Sequence, residues 1–411
     1  MGQFSHVRNI ERRYERFSEE ASEEPAGKAS VNILKGPKEK TGVEKPHKAH
    51  VDWDDLGEHE ILHLKHGVLQ RLAEEAREKA GSNLRVQKEA GVSRKALHEI
   101  EEGSNIISVK NFKALCDYLG IQHKEMDRHI IGIGSSRNPD ALENPHLPFK
   151  LDTPEGATII AATLHDGYLR SDGTTLSYAN KDEENIETIK EAVGKVFGNI
   201  KPWEEEYECG VKRVDFMSCA IVDTLEEAGL PIGSKTKQRF HVPDFISGGS
   251  EELQKAYLRQ TLMDEGYWRE HGGKVEEIHY TQSTYLDEDK LTAEDMKVLR
   301  SLEFEEYKMP TEVLIHRLRL TREVREEIEE EYPNLWRVIE ESKPPNLEEE
   351  KEMLEKLFDA HPDVRPRCLY YTEKGGYKVE WELIIDEAED ARRVAEELNL
   401  PIPKHKERKG D

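Results

Sequence analysis

Two acidic residues occupy matching places in this sequence. Residues 159–168 read Ile-Ile-Ala-Ala-Thr-Leu-His-Asp-Gly-Tyr and residues 258–267 read Leu-Arg-Gln-Thr-Leu-Met-Asp-Glu-Gly-Tyr, so the two stretches align without a gap. In each, an apolar helical run ends in a carboxylate followed by glycine, at Asp166 and at Glu265. A helix C-terminus carries partial negative charge, which adds to a carboxylate's attraction for hard divalent cations. If the two helices pack side by side about a pseudo-twofold axis, the acids converge and become candidate ligands for two or more Mg²⁺ ions. Such ions activate a water and stabilise the leaving 3′ oxygen of a phosphodiester, which is the chemistry of metal-assisted hydrolysis.

A second constellation lies at residues 82–103, Ser-Asn-Leu-Arg-Val-Gln-Lys-Glu-Ala-Gly-Val-Ser-Arg-Lys-Ala-Leu-His-Glu-Ile-Glu-Glu-Gly. Ser82 or Asn83 can cap one helix, Gly91 can take the tight turn, and Ser93 can cap the next helix. Helical spacing turns Val86, Ala90, Val92, Leu97 and Ile100 inward, and leaves Arg94, Lys95 and His98 outward at the start of the second helix. There a recognition helix meets base edges in the major groove. A further helix at 111–119 carries Phe112, Leu115, Cys116 and Leu119 as its apolar stripe.

These candidates need elements to hold them. Residues 1–50 mix Ser, Glu, Lys, Gly and Pro with little periodicity and read as a flexible tail, apart from a short helix near 7–17. Helical periodicity marks a domain at 51–130, and Pro139, Pro145, Pro148 and Pro154 punctuate a linker at 131–154. Two segments of similar grammar follow, 155–248 and 249–411. The first reads as helix 157–166, strand 175–179, helix 184–197, strand 211–216 and helix 221–228. The second reads as helix 251–265 and strand 275–281, then a Glu-rich helical insertion over about 282–362. A hairpin of 367–372 with 377–385 and a helix at 387–398 close it. Internal duplication of one unit is the simplest account.

The formal net charge is −25, which argues at first against a phosphate-binding surface. The charge is regional, however. Residues 1–123 hold 20 Lys and Arg against 21 Asp and Glu, so almost all of the excess lies downstream, and 287–359 alone carries 12 basic and 23 acidic side chains. Solvated helix faces or ion-pair networks account for such acidity, and a basic groove elsewhere stays open. The four cysteines, Cys116, Cys209, Cys219 and Cys368, form no CxxC pair, which argues against a disulfide scaffold or cysteine zinc site. No run approaches a membrane span, so no membrane role is expected and a cytoplasmic, nucleoid-associated location is.

Residues 68–122 resemble the Cro/phage-repressor family of helix-turn-helix domains, through the Gly-Val-Ser turn and the Ile-Glu-Glu-Gly exit. Gln87 departs from that family's usual small Ala between the helices. Residues 150–400 resemble the LAGLIDADG homing endonucleases, carried by the paired motifs ending at Asp166 and Glu265 and by the approach to the second motif from Gly229-Leu230-Pro231 through His241-Val242-Pro243-Asp244-Phe245. The resemblance implies an α+β fold with two αββαββα halves forming a saddle over the DNA major groove, preceded by an all-α helix-turn-helix domain. It also implies Asp166 and Glu265 as metal-binding acids helped by neighbouring backbone carbonyls, and double-strand cleavage leaving short 3′ overhangs. Gln260 stands where the second copy commonly has Gly. Where many members place a lysine near the end of each half's last strand, this chain has Cys219 and the Asp386-Glu387 pair. Lys212 and Lys378 are the nearest substitutes. Lys235, Lys237 and Arg239, with Arg317, Arg319, Arg322 and Arg325, are candidates to line a groove.

The expected function is thus Mg²⁺-dependent, site-specific cleavage of double-stranded DNA, with the helix-turn-helix aiding recognition. A non-cleaving transcription regulator on the same scaffold is the alternative, since bacterial sporulation regulators combine these two modules in the opposite order. An RNA-intron splicing factor is a third. The chain begins at Met1 and ends at Asp411 without the terminal nucleophile and Asn of an intein, so a free-standing or intron-encoded monomer is expected, with the acidic insertion offering a surface to a protein partner.

Overall fold

The computed structural model describes residues 47–135, 141–207, 209–235, 238–272, 274–302, 305–308, 314–372 and 376–401. Lys237 and the helix expected near 7–17 lie outside the described residues. Two compact bodies divide the chain, one of His47–Gly233 with Pro243–Gln260 and the other containing Ser234–Val242 and Thr261–Asp411.

In the first body the helices Val68–Ala80, Asn83–Ala90, Arg94–Glu101 and Val109–Leu119 follow one another through short turns. Trp53, Leu69, Leu72, Val86, Leu97, Ile100 and Phe112 are buried among them. The all-α expectation for this domain needs correction. A four-stranded antiparallel sheet in the order Ile106–Ser108, Ile61–Leu64, Ile130–Gly134, Leu142–Glu143 accompanies the helices. Its strands are two to five residues long, too short for their apolar alternation to stand out from helical spacing. The expected linker at 131–154 is likewise partly structural, since it supplies Leu142–Glu143 and the strand Phe149–Lys150, which pairs with His50–Val51.

The same body then runs helix Pro154–Leu164, strands Gly167–Leu169 and Thr175–Asn180, helix Glu183–Phe197, strands Trp203–Glu206 and Lys212–Met217, and helix Cys219–Glu227. Thr153 caps the first of these helices by accepting the Gly156 N–H, and Pro154 sits at its first turn, where a missing N–H costs nothing. Ile159 through Leu164 are all buried, as befits a helix that is apolar on every side. The sheet order is first, second, fourth, third strand, all antiparallel.

The second copy begins with helix Glu251–Glu265 and strands Tyr267–His271 and Lys274–Tyr285. After an insertion it resumes with helix Pro345–Phe358, strands Asp363–Thr372 and Gly376–Ile385, and helix Ala388–Glu397. Its own four strands adopt the same first, second, fourth, third order. Both copies therefore have the element order αββαββα. The insertion is shorter and less helical than expected. Lys274–Tyr285 continues through 282, and Pro345–Phe358 is the counterpart of Glu183–Phe197, so the added segment runs from about 286 to 344. It holds helices Ala293–Ser301, Arg322–Glu331 and Pro333–Glu341, and also a hairpin, Glu305–Lys308 with Leu314–Arg319, that extends the sheet to six strands.

Candidate nucleic-acid interface and paired acids

The turn between Asn83–Ala90 and Arg94–Glu101 is built as its residue types require. Ser82 Oγ accepts from the Arg85 N–H, Gly91 takes a left-handed φ of 76°, and Ser93 Oγ accepts from the Ala96 N–H at 3.1 Å. The Ser93 N–H donates to Asn111 Oδ1 at 2.9 Å, which ties the turn to the following helix. Val86, Val92, Leu97 and Ile100 are buried, while Ala90 is only half-buried. Arg94, Lys95 and His98 are all exposed, at the positive end of their helix. Lys95 meets Glu99 at 3.6 Å with its own side chain 84% exposed, a pairing too weak to withhold it from a phosphate. The structure thus brings these three candidates together on one open face.

Asp166 follows the His165 cap of its helix and is half-buried, with Oδ2 accepting from Asn180 Nδ2 at 3.0 Å. Glu265 ends its own helix and is 2% exposed. Each acid leads directly into the first strand of its copy, at Gly167 and Tyr267. Asp166 and Glu265 fall in the two different bodies, and each is described within its own. Two carboxylates are the oxygen-donor type that Mg²⁺ prefers.

The two candidate lysines do not match each other. In the first copy Tyr168 pairs with Ser177, and Asn180, three residues on, pairs with Lys212. In the second, Tyr267 pairs with His279, and Gln282, three residues on, pairs with Trp381. Lys212 therefore corresponds to buried Trp381, not to Lys378. Lys212 sits beside the residue that bonds Asp166, but its ammonium is ion-paired with Glu183. Lys378 lies far up its strand opposite Tyr285, with its ammonium 4.7 Å from the Tyr285 ring centroid.

The groove expected from scattered cations is also not assembled as one exposed stripe. Lys235 is half-buried, and Arg239 donates to the Lys343 carbonyl at 3.3 Å. Arg322 is paired with Glu326 at 2.8 Å on its own helix. Arg319 is exposed and Arg325 half-buried, whereas Arg317 is largely enclosed. Arg317 belongs to a charge lattice on the second sheet, missed in the sequence. There Arg367 reaches Glu380 at 3.3 Å, Arg365 reaches Glu382 at 3.3 Å, and Tyr370 donates to Glu380 at 2.8 Å. Glu380 and Glu382 are each 6% exposed, so these arginines are compensated by buried acids. The i, i+2 spacing of Arg365 and Arg367, and of Glu380 and Glu382, on the arms of one hairpin was the available signal.

A second missed cluster joins the helix-turn-helix domain to the first copy within one body. Gly57 N–H donates to Asp223 Oδ2 at 2.8 Å, and Glu60 is buried in hydrogen-bond contact with Cys219. Burial, with Asp223 adding repulsion, pushes the Glu60 carboxyl up to about 7, and burial lifts the Cys219 thiol to about 12. Cys219, at a position where the resembled family commonly has lysine, is thus part of a domain seam. Elsewhere His361, Glu387 and Asp390 bring potential ligand atoms within 4.8 Å, but Asp390 already bonds the His361 N–H, its ring and Arg393.

Residues 74–126 match the helix-turn-helix family model and form a Cro/repressor-type helix-turn-helix domain. Over 180 residues the chain is 26% identical to an A-type ATP synthase component of Pyrococcus abyssi (strain GE5 / Orsay), a match covering 41% of this chain and 17% of that protein's length. Among solved structures, full-length DUF199/WhiA from Thermatoga maritima is similar with a TM-score of 0.31 and 8% identity, covering 62% of this chain and 58% of that one. No helix among the described residues is long and apolar enough to cross a membrane.

Proposed function

We propose that this chain is a site-specific double-stranded DNA-binding protein whose helix-turn-helix supplies recognition and whose duplicated domain is a LAGLIDADG-type endonuclease. The observation that carries the DNA-binding reading is the exposed face of Arg94, Lys95 and His98 at the start of a capped second helix. Support for cleavage comes from two copies of identical element order, each with a carboxylate at the same helix end, Asp166 and Glu265. When bound, Mg²⁺ would activate water and stabilise the leaving oxygen at those acids. Asp166 would be oriented by Asn180, and Glu265 by its position at the end of a buried helix turn. A cell-interior, nucleoid-associated role as a monomer accompanies this reading, with a protein partner at the inserted segment.

A non-cleaving regulator is the second reading, favoured by the engagement of Lys212 with Glu183 and by the internally compensated arginines of the second sheet. The test is incubation with Mg²⁺ and a plasmid carrying the gene's own genomic neighbourhood. Site-specific cutting that disappears in both Asp166→Asn and Glu265→Gln, with retained gel shift, supports the endonuclease. A specific shift with no cutting under Mg²⁺ or Mn²⁺ leaves the regulator, and no specific shift at all removes both.

A further inference from the structure

We propose that the edge strand Trp203–Glu206 is an augmentation site that accepts an extended, basic segment of a partner protein as an added antiparallel strand. The two copies supply the comparison. In each, the third strand lies beside the fourth and forms the outer strand of the repeated four-stranded unit. In the second copy that edge is already taken: the inserted strand Leu314–Arg319 pairs along Asp363–Thr372, with Arg317 opposite Tyr370 and Arg319 opposite Cys368. The added strand is cationic, and its Arg317 lies 5.6 Å from the Tyr370 ring centroid, donates to Cys368 Sγ at 3.1 Å and approaches Glu380 at 3.9 Å. This fold thus receives an Arg-bearing strand at this edge, over an aromatic ring and beside an acid.

The first copy offers the same features with the edge strand last in its sheet among the described residues. Its sequence is Trp203-Glu204-Glu205-Glu206, and Trp203 is 43% exposed. Arg213 lies 5.1 Å from the Trp203 ring centroid, showing that this ring already serves as a cation platform. Met217, 57% exposed, lies on the neighbouring strand two residues beyond Asp215, the partner of Trp203, and so shares its face. A strand laid along this edge would place alternate side chains beside Trp203 and Glu205 on one face, and beside Glu204 and Glu206 on the other. Both faces therefore favour Lys or Arg. Glu204 and Glu205 have local partners, Lys190 at 2.8 Å and Arg213 at 3.2 Å, so the attraction is moderate and the backbone ladder carries the register. A second copy of the same strand is disfavoured, because glutamates would face glutamates.

The probe is a synthetic peptide with the sequence of residues 313–320, Val-Leu-Ile-His-Arg-Leu-Arg-Leu, added to the full chain and followed by hydrogen exchange. Exchange at the backbone amides of residues 203–206 is expected to slow about fivefold or more. Affinity should fall about tenfold in Glu206→Lys, an exposed site where folding is not at stake, and comparably in Trp203→Ala. A peptide with both arginines replaced by glutamate should not bind. Several results overturn the proposal: no slowing at 203–206 with peptide at about 1 mM, equal binding of the acidic peptide, or slowing confined to Asp363–Thr372, where the probe would merely replace the inserted strand. An acidic edge that serves only to repel other strands would give the first of these.

Discussion

The cations of the helix Arg94–Glu101 and those of the second sheet have opposite surroundings. On the helix, Arg94, Lys95 and His98 are exposed, and the ion pair seen among them, Lys95 with Glu99, is a loose surface contact. On the sheet, Arg317, Arg365 and Arg367 lie against Glu380 and Glu382, which are buried. An exposed cation gains by releasing counterions from DNA, whereas a compensated one must first abandon a buried partner. Count of basic residues is therefore a poor guide to where DNA is held. A short helix with two Lys or Arg outranks a sheet with more.

This contrast can be broken most directly by charge reversal on the helix. Arg94→Glu with Lys95→Glu should weaken duplex binding about hundredfold near 0.1 M salt and reduce the slope of log affinity against log salt by about two, read by fluorescence anisotropy. Unchanged binding would move the interface to the sheets. The next largest effect lies in the lattice itself. Glu380→Gln should cost about 2–4 kcal/mol in urea unfolding, because Arg317 and Arg367 would lose a buried counter-charge, and should raise non-specific DNA binding as those arginines turn outward.

A smaller effect sharpens the junction between the two regions. Glu60 has its pKa raised from 4.5 to about 7 in the folded protein, so folding favours its protonated form. The associated stability is complete below about pH 4.5 and is lost as pH rises through about 7, where a buried charge must be carried. Glu60→Gln, neutral throughout, should add about 2–3 kcal/mol at pH 8 and little at pH 4.5, seen as a flattened dependence of thermal midpoint on pH. An equal gain at both values would assign the effect to packing instead. The smallest change is Ser93→Ala, which removes the cap on Ala96 and should cost about 1 kcal/mol in thermal unfolding, with DNA affinity falling only as the recognition helix frays.

Legibility followed the range of the interactions. The turn at Ser82, Gly91 and Ser93 was readable because capping and left-handed backbone are local demands on residue type. Long elements such as Glu183–Phe197 and Gly376–Ile385 were readable from periodicity. Short strands were not. Trp203–Glu206 reads as a charged loop, and Ile106–Ser108 sits inside a helical pattern, since both are made strands by partners remote in sequence. The insertion was misread for a related reason: Glu-rich composition points to helix, yet Leu314–Arg319 is held extended by Asp363–Thr372.

The candidate site divides in the same way. The sequence by itself determined the duplication, the matched positions of Asp166 and Glu265, and the outward helix face of Arg94, Lys95 and His98. Each of these follows from an alignment or from the geometry of a single helix. Only tertiary structure decided which cations remain available. Strand register set Lys212 against Asn180 and put Trp381 in the corresponding place of the other copy, and the fold brought Glu60 onto Cys219. A side chain's charge is written in its codon, but its partner is chosen by strand register and domain packing, which bring together residues far apart along the chain.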